Sequence, residues 1–100
     1  MLDVRLSARA KRDLAEIAFF IAEDSPARAQ SFVTELEDVC LQLGTMPRAF
    51  PLLPRHRRTG IRKRLYGDYL IFYLVLTKTV EIVHILHGAR DYEAILFPED

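Results

Sequence analysis

A single cysteine, no long hydrophobic run and no glycine-rich loop remove several classes of protein at the outset. The lone Cys40 cannot close an internal disulfide, and it suits a reducing compartment. No apolar stretch approaches the roughly 18 residues that cross a bilayer, so no membrane association is expected. The opening Met1-Leu2-Asp3-Val4-Arg5 lacks the basic start and apolar stretch of a secretory signal, and a cytoplasmic location is the expectation. No Ser/His/Asp set, metal-ligand cluster or phosphate-cradling loop is legible, so no metal, cofactor or small-molecule substrate is expected. Repeats, low-complexity tracts and linkers are lacking too. The 100 residues, half of them hydrophobic, read as one domain spanning 1–100.

Net charge is also lacking, but its absence conceals a polarity. Residues 1–44 carry eight acids against five bases, whereas residues 48–64 hold Arg48, Arg55, Arg57, Arg58, Arg62, Lys63 and Arg64 with no acid. A surface polarised in this way suits an anionic partner. A solvated loop followed by a Lys/Arg-guarded edge strand accounts for the charge alone equally well.

Leu2 to Leu6 alternates apolar and polar residues and reads as a half-buried strand. Ser7 is a helix cap, and Leu14, Ile17, Ala18 and Ile21 form one helical stripe. Ser25-Pro26 closes that helix and opens a second, with a stripe of Ala29, Phe32, Val33, Leu36, Val39, Cys40 and Leu43. Gly44 is placed to end it in a left-handed conformation. Thr45 to Gly60, with Pro47, Pro51 and Pro54, is a loop. Strands over Ile61–Tyr66, Tyr69–Leu76 and Val80–Leu86 follow, the first two joined by a Gly67-Asp68 turn of type II′. The expected class is α+β, in the order β-αα-βββ, with a helical hairpin packed on one face of an antiparallel sheet.

Register then assigns faces. Leu65, Leu70, Phe72, Leu74 and Leu76 are expected to meet the helices. A three-residue loop at Thr77–Thr79 is preferred because a two-residue loop would turn Glu81 inward, where an unpaired charge is costly. Arg62, Arg64, Tyr66, Tyr69, Ile71, Tyr73, Val83, Ile85 and His87 are left on the open face. Cations interleaved with aromatics suit single-stranded nucleic acid, while the aliphatics among them suit a protein cover. Ile95-Leu96-Phe97 is apolar enough to fold back or to add a strand. Phe19 and Phe20 cannot both point inward, so one is expected to be exposed.

The order of elements, the opening Leu6-Ser7-Ala8-Arg9-Ala10-Lys11-Arg12-Asp13-Leu14, Met46-Pro47 and Arg62 through Tyr73 are joined by the ending Ile85-Leu86-His87-Gly88-Ala89-Arg90-Asp91. Together they resemble the ParE/RelE superfamily of toxin–antitoxin toxins, and within it the ParE branch, the plasmid stabilisation proteins. The resemblance implies a toxin that poisons DNA gyrase, held inactive by a ParD-type antitoxin and touching operator DNA only through that antitoxin. The other branch implies a ribosome-dependent endoribonuclease; a relic that merely binds its antitoxin is a third possibility. Relatives that cut RNA combine a basic cluster with a tyrosine or histidine in the tail, where this chain has Ile95 and Leu96. Nuclease candidates are therefore confined to Arg62, Arg64, His87 and Arg90. The resemblance points to Arg62, Arg64, Arg90, Asp91 and Tyr92 for the target, and deletion from Asp91 onward is expected to abolish toxicity while sparing antitoxin binding. The antitoxin is expected on Phe19, Phe20, Tyr69, Ile71, Tyr73, Val83 and Ile85. His84 is expected inside with a hydrogen-bond partner, and His56 in a loop with nothing to orient it.

Overall fold

The computed structural model describes residues 1–99. Its elements are β1 (Asp3–Leu6), α1 (Ala8–Ala22), α2 (Pro26–Gln42), β2 (Arg62–Tyr66), β3 (Tyr69–Val75), β4 (Thr79–His87) and a short α3 (Tyr92–Leu96). Both long helices begin as their caps dictate. Ser7 Oγ accepts from Ala10 N at 3.0 Å and Ser25 Oγ from Arg28 N at 3.2 Å, with Pro26 in the first turn.

The sheet order is β1-β4-β3-β2. Its last three strands form the expected antiparallel meander, but β1 pairs parallel with β4, so the sheet is mixed rather than antiparallel. The helical hairpin is the crossover that a parallel connection requires. Tyr66 pairs with Tyr69 across Gly67-Asp68, and only Gly67 has positive φ (58°), as a II′ turn demands.

The assignment of faces is reversed. Tyr69, Ile71 and Tyr73 lie beneath the helices, in one core with Leu14, Ile17, Phe32, Leu36 and Cys40. Leu70 and Phe72 face the other way, and there they meet Leu53, Ile61 and Leu86 under Tyr92, Ile95, Leu96 and Phe97 of the folded-back tail. Leu65 and Leu76, expected in the core, are exposed at the rim. With both faces covered, β3 is apolar on both, and alternation there cannot tell one cover from the other.

The β3–β4 hairpin differs as well. Leu76 N donates to Thr79 O at 2.8 Å, closing a two-residue turn, and Leu74 sits opposite Glu81. Glu81 escapes the helix core because its face is the tail face, where it meets Arg5 at 3.8 Å. A bulge then restores the pattern. Tyr73 pairs with Ile82 and Phe72 with His84, leaving Val83 as the extra residue. Val80, Ile82 and Ile85 thus all reach the helix core despite their mixed parity.

Helix α1 underwrites that bulge. Ser7 Oγ donates to Val83 O at 2.9 Å, and the Asp13 carboxylate accepts from Ile85 N at 2.8 Å and from His84 Nδ1 at 2.6 Å. β1 stops at Leu6, opposite Ile82, so these side chains satisfy β4 backbone groups that no neighbouring strand reaches.

Gly44 serves by close approach, not by a left-handed turn: the glycines with positive φ are Gly60 and Gly67. A Cβ at position 44 would stand 2.4 Å from Leu2 O, while Gly44 O accepts from Leu2 N at 2.9 Å. Gly44→Ala is expected to push β1 away from the end of α2 and lower stability by about 1–3 kcal/mol. Urea denaturation checks this, the expected sign being a lower midpoint at unchanged slope.

Candidate functional surfaces

The basic residues of β2 are occupied by the fold. Arg62 Nη1 donates to Phe50 O at 2.7 Å, pinning the proline-rich loop. Arg64 lies 4.7 Å from the centre of the Phe50 ring and donates to Val39 O and Gln42 Oε1, both at 3.3 Å. Leu43 N bonds to Cys40 O, which leaves the Val39 carbonyl to be satisfied by a guanidinium, a common way to finish a helix. On the same rim Tyr66 donates to Glu35 at 3.0 Å, and Arg28 meets Glu35 at 2.6 Å. The Arg28 hydrogen bond, then that of Tyr66, holds the Glu35 carboxyl below its ordinary range. The bond to Glu35 in turn raises the Tyr66 phenol.

His87 and Arg90 lie elsewhere, at a cleft of about 240 Å³ between α1 and the end of β4, lined also by Glu16, Phe20, Tyr69 and Ile85. His87 stands edge-on to Tyr69 at 5.3 Å, and its Nδ1 accepts from Ala89 N at 3.1 Å, leaving Nε2 as the free nitrogen. Burial pushes the Tyr69 phenol upward, with a smaller push from Asp68, so it stays protonated at neutral pH. The buried pair Ile71 and Ile85 separates this cleft from Arg64. The four nuclease candidates therefore do not converge. Arg62 and Arg64 brace one side of the core, and His87 and Arg90 are exposed on another.

The tail completes a second core rather than a site. Asp91 caps α3, accepting from Ala94 N at 3.3 Å. The Tyr92 ring packs on Phe72 at 5.1 Å with Lys63 Nζ 5.3 Å from its centre. His56, expected to be unoriented, is clasped: it stacks on Phe97 at 4.1 Å and hydrogen-bonds Glu93 at 2.8 Å. This clasp and the Asp13–His84 bond were missed from sequence. Asp13 carried a signal nonetheless, because with Ala10, Leu14 and Ile17 it completes an i, i+3, i+4, i+7 stripe of buried residues. His84 is buried with a partner, as expected.

The expected antitoxin surface divides. Tyr69, Ile71, Tyr73 and Ile85 are buried beneath the helices and offer no docking face, because the open face was assigned to the wrong side of β3. Val83 is half-buried at the bulge. Phe19 and Phe20 are both exposed, at 74% and 68%. Phe19 borders an open apolar groove between the helices, shared with Ala15, Ala18, Ala22, Ala29 and Val33. Cys40 is buried in the core, and its thiol is pushed up to about 12, leaving it inert.

Among the described residues no group of three or more His, Cys, Asp or Glu could hold a metal ion, and no helix is long and apolar enough to cross a membrane. The family described as the ParE toxin of the type II toxin–antitoxin system parDE matches residues 4–92. No curated protein matches the chain. Among solved structures, the chain is similar to one from a chromosomal ParDE toxin–antitoxin system of P. aeruginosa, at 16% identity and a TM-score of 0.64, covering 87% of this chain and 96% of that one. It is also similar to one from the RelBE2 toxin–antitoxin complex of Mycobacterium tuberculosis, at 23% identity and a TM-score of 0.65, covering 86% of this chain and 96% of that one. These two likenesses concern the fold.

Proposed function

The chain belongs to the ParE toxin family of type II toxin–antitoxin systems, and from that membership we propose that it poisons DNA gyrase and is neutralised by a ParD-type antitoxin. The observation that carries the choice of gyrase over messenger RNA is the state of the tail. Ile95 and Leu96 turn into the second core and Tyr92 lies against Phe72, so among the described residues no tail side chain stands ready beside Arg62 and Arg64 for proton transfer. With those two arginines engaged, the surface left for the target is Arg90, Asp91 and the outer side of Tyr92. A direct test mixes the purified protein with gyrase and supercoiled plasmid. Linear DNA should accumulate on protease treatment, and no accumulation at excess toxin would overturn the reading.

One observation favours the nuclease alternative. His87, Arg90 and Glu16 share the cleft, which brings together an imidazole, a cation and a carboxyl group. On that reading His87→Ala would abolish messenger RNA cleavage on the ribosome; on the gyrase reading there is no cleavage to lose.

Neutralisation is proposed on the hairpin. An antitoxin segment with apolar side chains laid along the groove beside Phe19, and reaching Phe20, would cover the largest exposed hydrophobic residues of α1. Phe19→Ala/Phe20→Ala is expected to weaken antitoxin binding by roughly a hundredfold, as loss of two aromatic anchors does, with little change in thermal midpoint. Calorimetric titration measures the first and a melting curve the second. Unchanged affinity would remove the hairpin from the interface.

A further inference from the structure

The densest run of positive charge was left without a task by everything above. Arg62 and Arg64 are engaged by backbone and Lys63 by Tyr92, but Arg48, Arg55, Arg57 and Arg58 are exposed and form no ion pair among the described residues. Three of these four share a single short turn.

That turn is unusually well fixed for an exposed loop. Leu53 at its start is fully buried, and Leu53 N donates to Ile61 O at 2.9 Å across its base. His56 N donates to Leu53 O, Thr59 N to His56 O and Gly60 N to Arg57 O, while Thr59 Oγ1 donates to His56 O at 2.7 Å. His56 is anchored on the tail through Phe97 and Glu93. Arg57 to Thr59 form one 3-10 turn that ends on Gly60 at φ 79°. Arg55 is the one non-glycine with positive φ among the described residues, at 69°. A left-handed arginine is disfavoured by the close approach of its Cβ to the following carbonyl oxygen, and such a residue persists only where its surroundings hold it. The backbone under the three guanidinium groups is thus pre-organised, which lowers the entropy lost when they engage a partner.

We propose that the Pro54–Gly60 turn is a docking element for the phosphate backbone of duplex DNA, contacted by Arg55, Arg57 and Arg58. The choice of DNA rests on the gyrase reading above, and a second observation supports it independently. Binders of single-stranded nucleic acid need open aromatic faces on which bases stack. Beside this turn the rings are already used: His56 and Phe97 stack on each other, and Tyr92 packs on Phe72 and Lys63. What the turn offers is charge in fixed positions, which reads a duplex backbone without reading sequence. Asp91, Glu93 and Glu99 border the His56 side, so a phosphate strand is repelled there and directed along Arg57 and Arg58.

The test uses the free full-length protein and a fluorescein-labelled duplex of random sequence, about 20 bp long, titrated at several salt concentrations. Three phosphate contacts give a log–log salt slope near −3. Arg55→Gln/Arg57→Gln/Arg58→Gln is expected to remove that slope and to weaken binding at low salt at least about tenfold. Arg12→Gln, on exposed α1, should leave both unchanged, and circular dichroism verifies that each variant is folded. Equal binding by the triple variant overturns the proposal, as does tighter binding of the wild type to single-stranded RNA of the same length. The same variants in the gyrase cleavage assay keep the two readings apart. A triple variant that traps gyrase as well as wild type overturns the docking role while leaving gyrase as target. Arginine-dependent duplex binding with no trapping by wild type supports the docking element and overturns gyrase.

Discussion

Truncation after Arg90 should unfold the protein rather than merely silence it. The expectation from sequence was a tail needed for toxicity but not for antitoxin binding; its position in the second core reverses the second half of that. Tyr92, Ile95, Leu96 and Phe97 are the cover of the second core, over Leu53, Ile61, Leu70, Phe72 and Leu86. Removing four half-buried side chains and exposing five buried ones forfeits on the order of 5 kcal/mol or more, comparable with the whole stability of many small domains. The His56 clasp goes with them, loosening the turn that carries Arg55, Arg57 and Arg58. Toxicity and antitoxin binding should therefore fall together, with the truncated chain insoluble or susceptible to protease. Leu96→Ala gives a graded version, expected to lower stability by about 2 kcal/mol while the chain still folds. A folded truncation with native antitoxin affinity would show that the tail is an accessory.

Asp13→Ala should be the most damaging single substitution in α1. It would leave Ile85 N and His84 Nδ1 without an acceptor in the interior, just past the β4 bulge and on the side where β1 has ended. Breaking a buried, charge-assisted network from one side costs about 3–5 kcal/mol. Asp13→Asn retains an oxygen for at least one of those bonds and is expected to cost about 1–2 kcal/mol. Denaturant midpoints of the two variants separate polar satisfaction from helix packing. Equal effects of Ala and Asn would mean that charge, not hydrogen-bond capacity, is what the site requires.

The sequence revealed what local chemistry controls. Ser7, Ser25 and Pro26 start the helices where expected, and Gly67-Asp68 fixes the β2–β3 register residue for residue. Both of these signals are complete within a few residues. The face assignment failed because Tyr69, Ile71 and Tyr73 compete with Leu70, Phe72 and Leu74 on near-equal terms, and only the tertiary covers distinguish them. A strand apolar on both faces was the available clue that the tail folds back. The bulge at Val83 was hidden for a related reason. A three-residue loop with the expected faces and a two-residue loop with the faces reversed both keep Glu81 off the helix core and put Val80 and Ile82 in it, so β4 reads the same up to the bulge.

For the surfaces, sequence found the charge but not its use. Strand position suggested that Arg62 and Arg64 were free, yet both are close enough to carbonyls of Phe50 and Val39 to be consumed. The arginines on the loop, which sequence alone fits equally well to a solvated loop or to an anionic partner, are the ones left available. That one of Phe19 and Phe20 must be exposed was legible because two adjacent helical residues are about 100° apart and cannot both join a narrow stripe; that both are exposed was not.

The central claim, a toxin directed at gyrase, is tested most directly by controlled expression without antitoxin, reading the DNA-damage response and bulk translation in the same culture. The expected result is DNA damage and filamentation while translation continues. A rapid stop in translation with fragmented messenger RNA and no DNA damage would contradict the account in favour of the His87–Arg90 cleft. Unaffected growth would contradict it in favour of a chain that only binds its antitoxin.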